Sequence, residues 1–464
     1  MADRLPEYIQ SNVPNPQQNR APWYKNTAPT YAGVFLWFVF WDQIATHGLK
    51  EAGLGVCLVA LMVAALVCHY LFYLVPGLLG MKTGRPLYIV GTSTFGAIGG
   101  FLMPGFFMGL LQFGWLGVNT FFSSKFIVEV FFHKVTRFPD TTLTLVCIFW
   151  ALGAAFVGLK GIHYVARVAT YFPLIPITVL LVMLFKTGFS ASSFHPISAN
   201  PAASIAAAWI SIIGYVVGFF ATAGAAGVDF GMNSRDTRDV KRGGFFGIAL
   251  ATIVAAGIPL IAVAGAHGAQ TPGAESYVFT DVMQVVLSQT VFGSTTLAGL
   301  FMLALTIASF PPACFSSFIA ANSFKTTLPK VNPFLSVGLG AVFSIVIAGS
   351  GWAGDLAAMF GLIGASFGPI CGAMAVEYFM AGRKWSGPRA GFNIPGWGAW
   401  LAGFLVGILP NNALVTWGLA QPGQFAYLEP APVIAFVVGA VVYFVLAKMG
   451  LESRTLPLLQ TSSS

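Results

Sequence analysis

The stretch Tyr31-Ala32-Gly33-Val34-Phe35-Leu36-Trp37-Phe38-Val39-Phe40-Trp41-Asp42-Gln43-Ile44-Ala45-Thr46-His47-Gly48 decides the fold class. It reads as a membrane-spanning helix with Asp42 and Gln43 inside it. A charged side chain at the bilayer centre costs roughly 2.5–3.5 kcal/mol on insertion scales, so an acid kept there faces a polar cavity, an ion or a substrate path. The alternative is that Asp42 lies at the helix end and is wetted from outside. Thr46, His47, Gly48, Gly53 and Gly55 follow, which predicts a helix that is short or broken at that point. An interrupted helix carrying an acid, an amide and aromatics suits a membrane carrier of a small polar solute.

Working outward, the composition agrees. The chain has 464 residues, of which 56% are hydrophobic and 8% charged, with a mean hydropathy of +0.79. Soluble proteins carry about 25% charged residues, so the expected class is an all-α integral membrane protein. Apolar stretches long enough, or nearly so, to cross about 30 Å of hydrocarbon fall near 28–48, 53–75, 96–124, 141–159, 163–185, 204–228, 244–265, 292–322, 334–349, 353–380, 393–411 and 430–449. That makes about twelve transmembrane helices, between a segment 1–27 and a tail 450–464 that both lie in the cytoplasm.

The loops test this count. With both termini inside, eighteen of the 23 basic residues fall in inner segments, as the positive-inside rule requires. The exceptions are Lys50, Lys125, Lys134, Arg137 and Lys186. The net charge of +8 therefore reports topology and not nucleic-acid binding. The first 27 residues are polar and proline-rich without an apolar h-region, which predicts no cleavable signal peptide. A plasma membrane, the bacterial inner membrane among such, is the expected location.

Several chemistries are disfavoured. The cysteines at 57, 68, 147, 314 and 371 all sit in apolar spans with no CxxC spacing, so neither a disulfide frame nor a thiol metal site is implied. No GxxxxGK[ST] phosphate loop occurs. His47, His69, His133, His163, His195 and His267 form no metal-ligand spacing, and Asp355 and Glu377 support no carboxylate pair. The expectation is a transporter and not an enzyme, with no organic cofactor, no transition metal and no obligate protein partner. Its partners are the lipid bilayer and a small solute. A channel fits broken helices and stacking aromatics less well than an occluded site does.

The sixth span ends Gly218-Phe219-Phe220-Ala221-Thr222-Ala223-Gly224-Ala225-Ala226-Gly227. So many small residues predict a second backbone break, five spans after the first, as in two inverted repeats of five helices each. The repeats would cover 28–185 and 204–380, with 393–449 forming two further helices. Within the third span Trp115 and Asn119 are four apart and share a helix face. An indole gives a stacking surface and an amide gives a donor and an acceptor, which suits a planar heterocycle. Packing between helices is the competing reading. In the eighth span, Pro311-Pro312 free a backbone carbonyl ahead of Ala313, Ser316 and Ser317. This is a neutral oxygen set suited to Na⁺, although serines in apolar helices commonly bond back to the preceding turn.

These features resemble the nucleobase:cation symporter family, the group of cytosine/purine, hydantoin and allantoin permeases. The resemblance rests on Gly114–Thr120, on Gly218–Thr222 with Val228-Asp229-Phe230, on Ser316–Asn322, and on Gly368–Gly372 through Glu377-Tyr378-Phe379 with Arg383-Lys384. It implies a leucine-transporter-type fold and alternating access around a midplane site. It implies that Trp115 stacks on the base, that Asn119 and Asn322 bond its edges, that Gln43 approaches from the first span, and that Phe220, beside Phe219, stands where some members carry a second stacking tryptophan. The implied Na⁺ ligands are the carbonyls of Val39, Asp42 and Ala313 with the hydroxyls of Ser316 and Ser317. The chain departs from the family pattern at Phe220 and Phe318, at Asp229-Phe230-Gly231-Met232, where no arginine follows until Arg235, and at Asp42. That extra acid leaves Na⁺ and H⁺ both open as the coupling ion. Cytosine or a purine-like base is favoured; allantoin, hydantoin, an amine or an amino acid is the alternative.

Overall fold

The computed structural model describes residues 5–132, 140–161, 165, 171–290, 295–328 and 330–457. Among the residues named above, His133, Lys134, Arg137 and His163 lie outside the described residues. Those described form a helical bundle, with pairing of extended chain limited to two isolated bridges, Ala21 with Ser234 and Arg389 with Thr455.

The first expected span is three pieces. Helix α1 (Thr27–Phe35) ends at Leu36, Trp37 is extended at φ −65°, ψ 122°, and α2 (Phe38–Trp41) follows. A 3₁₀ turn, Ile44–Thr46, then leads to Gly48 at φ +117°. The main break therefore lies at Leu36–Trp37, upstream of the position read from the sequence; the glycine at 48 serves as a left-handed stop. Next come α3 (Leu54–Thr83), α4 (Phe107–Phe132), α5 (Thr141–Lys160), α6 (Leu174–Thr187), α7 (Pro201–Ala225), α8 (Thr237–Gly268), α9 (Phe279–Thr290), α10 (Thr295–Thr327), α11 (Pro333–Gly349), α12 (Leu356–Met380), α13 (Ile394–Ile408) and α14 (Ala431–Lys448). Among the described residues, nine helices are long and apolar enough to cross a membrane, and α11 and α13 are shorter apolar helices.

Two boundaries moved for clear reasons. The third span starts later than 96, because Gly96 sits at φ +88° and Met103 is non-helical at φ −125°, ψ 106° beside Pro104. It also runs on to Phe132, so Lys125 lies within α4, where it pairs with Glu129 at 3.6 Å. That partner reduces its weight as an exception to the loop-charge pattern.

The expected break in the sixth span falls only at the end of the quoted stretch. Residues 218–225 are continuous helix, and only Ala226, at ψ −7°, separates α7 from the short helix Gly227–Gly231. Alanine is the best helix former, so an Ala-rich run holds the ladder. The glycines act in packing. A Cβ on Gly218 would come within 2.6 Å of the Phe360 carbonyl of α12, and one on Gly224 within 2.8 Å of Phe72 of α3. Small residues at these crossings let the helices approach closely. The core forms around α7, which packs on α3 and α12, with α4, α5, α10 and α11 making the neighbouring group.

Candidate substrate cavity

One cavity of about 1130 Å³ enters the bundle between α1, α4, α7 and α10. At its mouth stand Lys25, Thr30 and Lys325, all exposed. At its deep end are Trp37, Trp115, Phe219 and Asn119, the last two buried. The mouth is the end that carries basic loops. The opposite end is closed by rings: Phe38 stacks on Phe126 at 4.8 Å, Trp41 meets Phe279 edge-on at 5.0 Å, and Tyr215 lies 4.8 Å from Phe360.

The deep end is an aromatic box. Trp115 is met by Trp37 at 5.8 Å, Phe219 at 5.4 Å and Phe360 at 5.7 Å, the first two edge to face. A ring held between two parallel rings needs their centroids about 7 Å apart, twice the 3.5 Å contact distance. Trp115 and Phe219 are closer and perpendicular, so no slot is open between them. The faces of Trp115 can take a planar solute only if a neighbouring ring turns.

The helices explain which side chains arrive here. Gln112, Trp115, Asn119 and, on α7, Phe219 and Thr222 follow three- and four-residue spacing, which keeps each set on one face. On α10, Pro311 and Pro312 have no N–H, so the carbonyls of Ile307 and Ala308 lose their usual partners; Ala308 lines the cavity.

The sequence-derived residues divide. Trp115, Asn119, Phe219, Asn322 and Ser316 line the cavity. Gln43, Phe220, Val39, Asp42, Ala313 and Ser317 do not. Phe220 is fully buried on the other side of α7, stacked on Phe35 at 5.5 Å. The Val39 carbonyl accepts from the Tyr215 hydroxyl at 3.2 Å. Asp42 accepts twice from the start of α9: its carbonyl from the Phe279 N–H at 2.8 Å and its Oδ1 from the Thr280 N–H at 2.9 Å. The buried acid thus caps a helix from across the fold. Ser317 donates back to the Ala313 carbonyl at 3.4 Å and faces α5, where a Cβ on Gly158 would meet the Ser317 Cβ at 3.0 Å.

Asn119 is at the cavity but both ends of its amide are engaged. Its Nδ2 donates to the Ser309 carbonyl at 2.8 Å, and its Oδ1 accepts from the Trp150 indole at 3.0 Å. Among the lining residues that the sequence reading did not place at the site are Trp37, Gln112 and Thr222. Helical spacing was the available signal for two of them, since Gln112 precedes Trp115 by three residues and Thr222 follows Phe219 by three. Trp37 gave no such signal because it sits at the break itself. Among the described residues no group of three or more His, Cys, Asp or Glu could hold a metal ion.

A family described as permeases for cytosine/purines, uracil, thiamine and allantoin matches residues 14–387. In structure the chain is similar to Mhp1, a nucleobase-cation-symport-1 family transporter, in a closed conformation with bromovinylhydantoin bound. The TM-score is 0.64 at 16% identity, covering 97% of each chain. An inward-facing conformation of Mhp1 gives 0.64 and 16%, covering 96% of this chain and 97% of that one. A Na⁺-coupled sialic acid symporter in a substrate-bound outward-open state gives 0.57 and 13%, covering 97% and 93%. These likenesses establish the leucine-transporter-type fold. No curated protein matches the chain in sequence.

Proposed function

Because the chain belongs to the family of permeases for cytosine/purines, uracil, thiamine and allantoin, it is a membrane transporter and not an enzyme, and we propose that it imports a nucleobase or related planar heterocycle by cation symport. The observation that carries this reading is the aromatic box at the blind end of a cavity inside a membrane bundle. Stacking serves any flat ring, and base–aromatic stacking contributes about 1–3 kcal/mol per base. The Gln112 amide, one turn from Trp115 on α4, supplies a polar contact beside it.

Trp115 is assigned the stacking surface, with Phe219 the ring that turns to cover the solute. Asn322 bonds the solute's edge. Asn119 fixes α4 against α5 and α10 in this conformation and reaches the solute only if Trp150 releases it. Na⁺ coupling is assigned to α10, where the Ala313 carbonyl and the Ser316 and Ser317 hydroxyls would supply hard oxygens; H⁺ coupling would instead need a titratable group, for which Asp42 is the candidate. With the mouth on the side of the basic loops, the conformation is the inward-open one of an alternating-access cycle. The repeats 28–185 and 204–380 would rock against each other to close it. Ion and solute bind with a positive coupling free energy, typically 1–3 kcal/mol.

Uptake of radiolabelled cytosine into proteoliposomes, with and without an inward Na⁺ or pH gradient and with adenine, uracil, allantoin and hydantoin as competitors, tests the proposal. Gradient-driven uptake that competes with one of these bases is expected. Absence of uptake or competition by every heterocycle would move the search to amines and amino acids on the same fold.

A further inference from the structure

Two polar atoms in the cavity wall have no partner: the indole Nε1 of Trp37 and the hydroxyl of Thr222, each sealed from water. A buried donor left unpaired is costly, and native proteins hold few such groups. Both residues line the deep end of the cavity, beside Trp115 and Phe219. The other unpartnered side chains among the described residues, such as His69, Thr120 and Thr252, do not line it. By contrast, the amide that the sequence pointed to, on Asn119, is bonded at both its nitrogen and its oxygen.

We propose that Trp37 and Thr222 are binding residues that read the polar edge of the transported ring, the Trp37 N–H donating to a carbonyl oxygen of the solute and the Thr222 hydroxyl pairing with the adjacent ring position. This rests on the heterocycle reading above and deepens it: the solute must carry a strong acceptor, an exocyclic carbonyl, next to the face that stacks on Trp115.

The motions required are rotations of single side chains. In threonine a single staggered step about χ1 carries Oγ1 into the place of Cγ2, and the χ2 torsion of tryptophan is broad and roughly two-fold, so a ring turn carries Nε1 from one edge to the other. Trp37 is also the extended residue joining α1 to α2. In the present conformation both groups turn away from the cavity and stay unpaired. A solute carbonyl that enters beside Trp115 gives them partners, so the ordering of the α1–α2 joint is coupled to occupancy. A ring that lacks the acceptor leaves the indole N–H unpaired and is selected against, because a site built around a hydrogen bond rejects the analogue that cannot make it.

The experiment is a two-sided comparison. Equilibrium binding to purified, detergent-solubilised protein is measured for cytosine, uracil, hydantoin and allantoin, and then for the thiocarbonyl analogue of whichever binds. Sulfur keeps the ring shape and accepts hydrogen bonds weakly. The same pairs are measured on Trp37→Phe, which keeps a ring and removes the N–H, and on Thr222→Val, which keeps the shape and removes the hydroxyl. Wild-type protein is expected to favour the oxygen compound about tenfold, and Trp37→Phe to lose most of that preference through weaker binding of the oxygen compound alone. Thr222→Val is expected to weaken both members of the pair by a similar factor. Thermal melting confirms that each variant folds, and the wild-type oxygen-against-sulfur comparison needs no variant at all. If the wild type binds a heterocycle but shows no preference for oxygen, or if Trp37→Phe keeps it, the assignment of Trp37 is wrong while the transporter reading stands. If the wild type binds none of the four, both fall together.

Discussion

Replacing Asp42 separates two roles for a buried acid. As a helix cap, its carboxylate holds the Thr280 N–H at 2.9 Å and its carbonyl holds the Phe279 N–H at 2.8 Å. Thr280 is 1% exposed, so water cannot replace a lost acceptor. Asp42→Ala keeps the main-chain bond and removes the carboxylate. A hydrogen bond to a charged group contributes about 1.5–3 kcal/mol, and N-cap losses span about 0.5–2 kcal/mol; an expected cost near 2 kcal/mol is roughly a thirtyfold rise in the opening of α9. Asp42→Asn retains an acceptor oxygen and costs about 1 kcal/mol, a factor near five. Hydrogen exchange on the purified transporter reads this directly: amides of residues 281–290 lose protection in the order Ala, then Asn, then wild type, while α12 is unchanged. Ion-dependent uptake should keep its cation affinity within about threefold in Asp42→Asn. Unchanged exchange in α9 together with a tenfold loss of Na⁺ affinity, or a shifted pH profile of uptake, would refute the cap and give the carboxylate to the ion.

Further outcomes follow from the same geometry. Phe219→Ala should weaken solute binding by about five- to 150-fold, corresponding to 1–3 kcal/mol of stacking. Phe220→Ala should leave affinity within about twofold but destabilise the fold by about 3–5 kcal/mol, as deletion of a buried ring does; binding assays and denaturation distinguish the two neighbours. Gly80→Ala puts a Cβ 2.0 Å from the Val228 carbonyl, where backbone cannot yield easily, and should cost at least the 1–3 kcal/mol of overpacking. Gly338→Ala on α11 meets nothing within 4 Å and should stabilise by up to about 1 kcal/mol through helix propensity; melting temperatures should move in opposite directions. Arg389 donates to Glu452 at 2.8 Å, to the Ser453 carbonyl at 2.9 Å and to the Ser93 carbonyl at 3.0 Å, so Arg389→Ala should free the tail and speed limited proteolysis near Ser453 by about tenfold.

The membrane class and the approximate placing of the helices were written in the sequence, because hydropathy is a local property and lipid demands that each span satisfy its own backbone. The family was legible for a related reason: Trp115 and Asn119, or Ser316 and Asn322, hold fixed spacings on single helices. Long-range partnership is not local, and there the tertiary structure decided. The break fell at Leu36–Trp37, where neither glycine nor proline marks it, and α7 stayed helical because its small residues fit against Phe360 and Phe72. Phe219 and Phe220 are alike in the sequence; the crossing of α7 with α1 turns one to the cavity and buries the other on Phe35. Asn119 looked like a ligand until Trp150 and Ser309 took both ends of its amide. Asp42 drew attention as an isolated acid, but the N–H groups it caps are more than 230 residues further along the chain. A side chain's type fixes what it can bond; only packing fixes which bonds are already made and which are left for a solute.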